Sequence, residues 1–136
     1  MWKNALIKYR LNMTDEYQIT SDSSERIAVK MYEPSKGDWR LFREHLPGWQ
    51  ERYMVRLCDE YAAILTGEKR GSDAFWEIEK RIREDKKSPG VQVNLSGSDM
   101  GLIILTLLRD NVIWMEDLDG FSGDLMERIK FLVNAD

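Results

Sequence analysis

Residues 101–108 read GLIILTLL, and six of these eight side chains are aliphatic. Any fold available to this chain must hide that block. A run of this length suits a buried strand or a buried helix, and periodicity alone does not separate the two. The flanks decide. Ser96 stands three residues before Asp99, a hydroxyl and a carboxylate placed as in a capping box, where they can satisfy amides of a first helical turn. Asp99 then lies where the helix dipole favours an anion, and Arg109 where it favours a cation. The spacing predicts a helix over 98–109, apolar on nearly every side and therefore covered on nearly every side. Burying Leu102, Ile103, Ile104, Leu105, Leu107 and Leu108 would contribute about 10–15 kcal/mol of gross transfer energy, an upper bound. The block is too short for a membrane span, which needs roughly 20 such residues.

The 136 residues suit one domain over 1–136, long enough to bury a sizeable core. Hydrophobic and charged contents of 43% and 32% exclude a disordered chain. The lone Cys58 excludes an internal disulfide, and residues 1–25 lack the basic start and apolar run of a secretory signal. A cytoplasmic location is expected from this. Cys58 falls within an amphipathic pattern and is expected to be a small core residue. A nucleophilic thiol would need His45, the sole histidine, as its partner.

Strand patterns occur at Trp2–Met13, where Leu6, Ile7, Tyr9 and Leu11 interleave with polar residues, and at 26–33, RIAVKMYE. Polar residues 14–25 join them, so an antiparallel hairpin is expected. After Pro34-Ser35-Lys36-Gly37, a short helix from Asp38 carries Trp39, Phe42 and Leu46 on one side. Pro47, tolerated at a first helical position, starts a second with Trp49, Tyr53, Leu57, Tyr61 and Ile64 on one stripe, closed by Gly67. A third helix follows Ser72 or Asp73 with Phe75, Ile78 and Ile82 inward. VQVNL at 91–95 alternates and predicts a third strand. The helix over 98–109 follows, then a short extended or turn-like segment at 112–115. A last helix spans 122–133, its stripe formed by Leu125, Ile129, Leu132 and Val133. The fold class expected is α+β: a small antiparallel sheet, made of the N-terminal hairpin and the strand near 91–95, packed against about five helices around the buried one.

Chemistry has little to work with. One His and one Cys form neither a zinc cluster nor a triad, and no Ser lies in a nucleophile elbow, so no catalytic residue, metal or cofactor is expected. The acidic segment Glu116, Asp117, Asp119 and Asp124 has a calcium loop's alternation before Gly120, yet lacks the Glu that should stand six residues after that glycine. SGSDMG at 96–101 precedes a helix but has no phosphate-loop lysine, and Asp99 would repel a phosphate.

Charge is uneven. Residues 1–56 carry ten basic and eight acidic groups, and residues 57–136 ten and sixteen, a net −6. The composition therefore leads to a non-enzymatic protein that binds another protein with a basic surface. An inhibitor of the immunity or anti-defence type, covering a basic functional surface, would fit that description. Glu116, Asp117, Asp119 and Asp124 would supply the charge, and Trp39, Trp49 and Trp76 the aromatic anchors. The alternative is a nucleic-acid-binding regulator using Lys80, Arg81, Arg83, Lys86 and Lys87, although glutamates interspersed there suit a solvated helix face.

Overall fold

The computed structural model describes residues 34–95 and 99–134, and the regular secondary structure there is helical. Four α-helices follow one another: α1 (Lys36–Leu65), α2 (Gly71–Asp85), α3 (Met100–Arg109) and α4 (Gly123–Asn134). A 3-10 turn at Met115–Leu118 lies between the last two.

The expectation of an α+β fold is corrected by this arrangement. Among the described residues there is no strand. The N-terminal hairpin over 2–33 and the capping residue Ser96 lie outside the described residues. Residues 91–95, within them, are a turn followed by irregular chain. The amides of Val91 and Gln92 both donate to the Ser88 carbonyl, at 3.0 and 3.2 Å, and the Gln92 side chain donates to the Lys86 carbonyl. These bonds hold the start of the segment in a turn continuing from α2. Five alternating residues do not overcome that when no strand among the described residues pairs with them.

α1 corrects a second expectation. Its 30 residues, about 45 Å of helix, run straight through Pro47, where two helices were expected. The reason lies in the stripe: Trp39, Phe42, Leu46, Trp49, Tyr53 and Leu57 recur at three or four residues on both sides of the proline. Phe42, Leu46 and Trp49 enter one core cluster. Packing of that continuous face outweighs the missing amide bond at an exposed ring. The Asp38 amide donates to Ser35 Oγ at 3.0 Å, which caps the start.

α3 is the expected central helix. Met100, Ile104, Leu105 and Leu107 are fully buried, and Gly101 and Ile103 are buried beside them. Asp99 occupies the N-cap without a side-chain cap bond. The C-terminal end is better defined: Asn111 takes φ 59°, Val112 N–H donates to the Leu107 carbonyl at 2.9 Å, and Asn111 N–H donates to that of Leu108 at 3.2 Å. This is a Schellman stop with asparagine at the left-handed position, sealed by the buried pair Leu107 and Val112.

The last helix starts close to its expected place, with Ser122 Oγ accepting from the Leu125 amide at 3.3 Å. Leu125, Ile129 and Leu132 are buried, while Val133 is largely exposed. Together the N-terminal half of α1, α3, the 3-10 turn and α4 form a bundle around Phe42, Ile104, Leu107, Ile113, Leu118 and Leu125. The bundle is tied across its start by Asp38. This buried carboxylate accepts from the Ser122 amide at 2.9 Å and from its hydroxyl at 2.5 Å, serving the first turns of two helices at once.

Candidate docking surface

Past Tyr53, the last residue of α1 packed against the bundle core, α1 runs on beside α2, which returns antiparallel to it as a helical hairpin. The seam between them contains few apolar residues. Leu57 and Ala74 are its buried hydrophobic residues, with Tyr61, Ile64 and Ile78 half-buried. Polar groups supply the rest. Tyr61 Oη donates to Asp85 Oδ2 at 2.5 Å, Arg81 reaches Glu60 Oε1 at 2.7 Å and Asp85 Oδ2 at 3.6 Å, and its guanidinium lies 5.4 Å from the Tyr61 ring centre. Burial and the Asp85 carboxylate push the Tyr61 phenol above its ordinary pKa.

The inward face of α2 differs from the one expected. Ala74, Ile78, Arg81 and Asp85 turn to α1 at spacings of four, three and four, whereas Phe75 is 61% exposed and Ile82 39%. A small residue and a charged pair at the seam allow close approach, and the larger apolar side chains are left outside. Phe75 and Trp76 touch edge to face, with centroids 4.9 Å apart. Val55 and Leu65 on α1 are also more than half exposed, so the hairpin carries several apolar side chains that the fold does not use. The aromatic pair was legible as a pair; its outward direction follows only once the seam residues are recognised.

The three tryptophans proposed as anchors divide. Trp49 is buried, stacked on His45 at 5.6 Å, and Trp39 is partly buried against the core, stacked on Phe42 at 5.9 Å. Trp76 is 63% exposed. Cys58, expected in the core, is also exposed, and His45 lies thirteen residues away on the same helix, about 20 Å along its axis.

The acidic segment divides as well. Asp117 is engaged by the fold: Arg52 grips both of its oxygens at 3.0 and 2.8 Å, and the Trp114 amide donates to Oδ2 at 2.8 Å. The Arg52 hydrogen bond holds the Asp117 carboxyl below the usual carboxylate range. Glu116 and Asp119 are exposed, and Asp124 is exposed with Arg128 at 3.7 Å. No group of three or more His, Cys, Asp or Glu suited to a metal occurs among the described residues.

In the basic stretch, Arg81 is committed to the seam and Arg83 to Glu79 at 2.5 Å, whereas Lys80, Lys86 and Lys87 are exposed. An open depression lies beside Asp38 and Ser122 and is lined also by Leu41 and Glu44. Its buried carboxylate is occupied with Ser122. No helix among the described residues is long and apolar enough to cross a membrane. Compared with protein-family models, with curated proteins and with solved structures, the chain matches none of them.

Proposed function

We propose that this chain acts by binding another protein, without catalysis of its own, and that the helical hairpin is its docking element. One observation carries the reading: the Phe75–Trp76 pair, both residues more than 60% exposed, stands on a helix whose own seam makes no use of either. Exposed tryptophan in an edge-to-face pair is the kind of anchor that supplies most of an interface's energy once a partner dries it. The exposed acids Glu116, Asp119 and Asp124 incline the chain towards a partner with a basic surface, such as the functional groove that an inhibitor of the immunity or anti-defence type would cover. Asp117 is left out of that role because Arg52 holds it. Pull-down with the wild-type chain and with Trp76→Ala tests the anchor. A protein recovered by the first and lost with the second is expected; recovery of the same proteins by both removes Trp76 from the interface.

A second reading has its own observation. Trp76, Lys80, Arg83 and Lys87 recur at four, three and four residues and are all exposed, so one strip of α2 and the turn after it combines cations with an aromatic ring. Nucleic acid bound there would show a gel shift that fades steeply between low and moderate salt. The protein-binding reading predicts no shift at either.

A further inference from the structure

The seam of the helical hairpin has two flanks, and they are not alike. At roughly 100° per residue, Glu60 of α1 and Arg81 of α2 fall on one flank, where their side chains join at 2.7 Å. The same rotation places Phe42, Leu46 and Trp49 on that side of α1, so the bundle core packs there. The opposite flank receives Val55, Cys58, Ala62 and Leu65 from α1 and Phe75 and Ile82 from α2. All six are exposed. They form an apolar strip two helices wide, on the side of α1 that the bundle leaves bare.

We propose that this flank joins two copies of the chain. The hairpins lie side by side with their tips at the same end, α1 of each copy resting on α2 of the other, to make a four-helix arrangement about a two-fold axis parallel to the helices. Shape favours it: small Cys58 and Ala62 on α1 oppose bulky Phe75 and Ile82 on the partner's α2. Charge selects both the occupant and the direction. Glu51 and Asp59 lie beside the strip on α1, and Glu79, Arg83 and Lys86 lie beside it on α2 and just beyond, all of them exposed, with Glu79 balanced by its own Arg83 and Lys86 adding a further positive charge. With tips aligned, Glu51 of one copy lies level with the partner's Lys86 near the hairpin's base. Arg83, already holding Glu79, stands within reach of the partner's Asp59. Reversing the direction of one copy would set α1 on α1 and bring acids against acids. The inference rests on the hairpin being a docking element; it uses the flank, which shares Phe75 with the docking pair, and leaves Trp76 on the outer strip.

Light scattering on the full chain at tens of micromolar tests it. The expected mass is twice the 16.0 kDa of one chain. Leu65→Glu combined with Ile82→Glu, both at exposed positions, should return the single-chain mass with unchanged helical circular dichroism. Cys58 supplies a reporter, since Cys58 and its symmetry mate stand at one level on diagonally related α1 helices. A bismaleimide spanning roughly 10 Å, the scale of helix spacing, should link wild-type chains and fail on the double variant. Glu51→Lys should weaken association, and adding Lys86→Glu to the same chain should restore it. A wild-type mass of one chain overturns the proposal, whether or not Cys58 reacts freely with maleimide. A dimer that survives Leu65→Glu with Ile82→Glu overturns it too. Single-chain mass with Trp76-dependent partner capture intact removes the self-interface alone. A dimer without such capture leaves the self-interface standing and removes the other reading.

Discussion

The bundle and the helical hairpin share one continuous helix, yet they are held together by different means. In the bundle, α1 contributes Phe42, Leu46 and Trp49 to a core in which Ile104, Leu107, Ile113 and Leu118 have no exposed surface. About 12 Å beyond Trp49, the same helix meets α2 through Leu57, Ala74 and a polar seam of Tyr61, Asp85, Arg81 and Glu60. Exposed ion pairs of that kind add about 0–1 kcal/mol each, far less than a buried aliphatic side chain. The hairpin therefore sits towards the low-stability end of the molecule, where binding elements are commonly found. It also keeps its largest apolar side chains outside, available to a partner.

The sharpest way to break this contrast is to truncate one isoleucine in each region. Ile104→Ala removes a side chain with no exposed surface and should cost about 3–5 kcal/mol. Ile78→Ala, at the half-buried seam, should cost roughly 1–2 kcal/mol, the low end for such truncations where the site is partly open. Denaturant unfolding measures both. Equal losses would mean that the hairpin has a core as well packed as the bundle's, and the distinction drawn here would fail.

The two regions were unequally legible in the sequence. α3 and α4 announced themselves because their apolar residues dominate any pairing of faces, and burial follows composition when a segment is this aliphatic. Pro47 misled because proline's local effect was set above a stripe that ran unbroken from Trp39 to Leu57; tertiary packing won. VQVNL misled because alternation over five residues describes only which side chains can share a side, and the chain satisfied its first amides within a turn. In α2 the sequence points Phe75 and Ile82 inward, whereas the seam uses Ala74 and the pair Arg81–Asp85. Helical periodicity locates two possible stripes there, and only the partner helix chooses between them. Of the proposed site residues, Trp76 was legible only as the neighbour of Phe75, and its exposure follows from the seam that Ala74, Ile78, Arg81 and Asp85 form. The burial of Trp49 and the engagement of Asp117 by Arg52, 65 positions earlier, depend on contacts distant in sequence.

A smaller effect separates the regions by alkali. Because burial and Asp85 raise the Tyr61 phenol, the folded hairpin keeps it protonated at pH values where the unfolded chain has ionised it. Its contribution is therefore complete below the ordinary tyrosine pKa of about 10 and is lost as pH rises beyond it. Tyr61→Phe removes the bond to Asp85, should cost about 0.5–1.5 kcal/mol near neutrality, and should flatten that alkaline loss. Tyr53, against Gly90 and Val112 at the bundle's edge, is raised in the same direction by burial, so a whole-chain melt would mix the two. Hydrogen exchange of α2 amides reads the hairpin alone. An alkaline loss in α2 that persists unchanged in Tyr61→Phe would assign it to another group.

Acid should act on the bundle instead, and more weakly. The Arg52 hydrogen bond lowers Asp117, so its stabilisation is present above the ordinary carboxylate range and disappears as pH falls through its lowered pKa. Arg52 is 49% exposed, and solvent screening limits the pair to under about 1 kcal/mol. Asp117→Asn should thus be slightly less stable than wild type at neutral pH and converge with it in acid. Asp110 has the opposite sign. Burial raises its carboxyl, partly offset by the Ser88 hydroxyl that donates to it at 2.8 Å, so the folded chain binds a proton more readily than the unfolded one. Protonation of Asp110 then stabilises the fold as pH falls, and Asp110→Asn, whose amide oxygen can still accept from Ser88, should be at least as stable as wild type at neutral pH. Melting the two variants across the acid range tests both signs: the Asp117→Asn deficit should shrink with acid, and any Asp110→Asn advantage should shrink with it. A deficit for Asp117→Asn that stays constant to low pH would show that its cost comes from the lost bond to the Trp114 amide or from repacking, and not from the ion pair that joins α1 to the 3-10 turn.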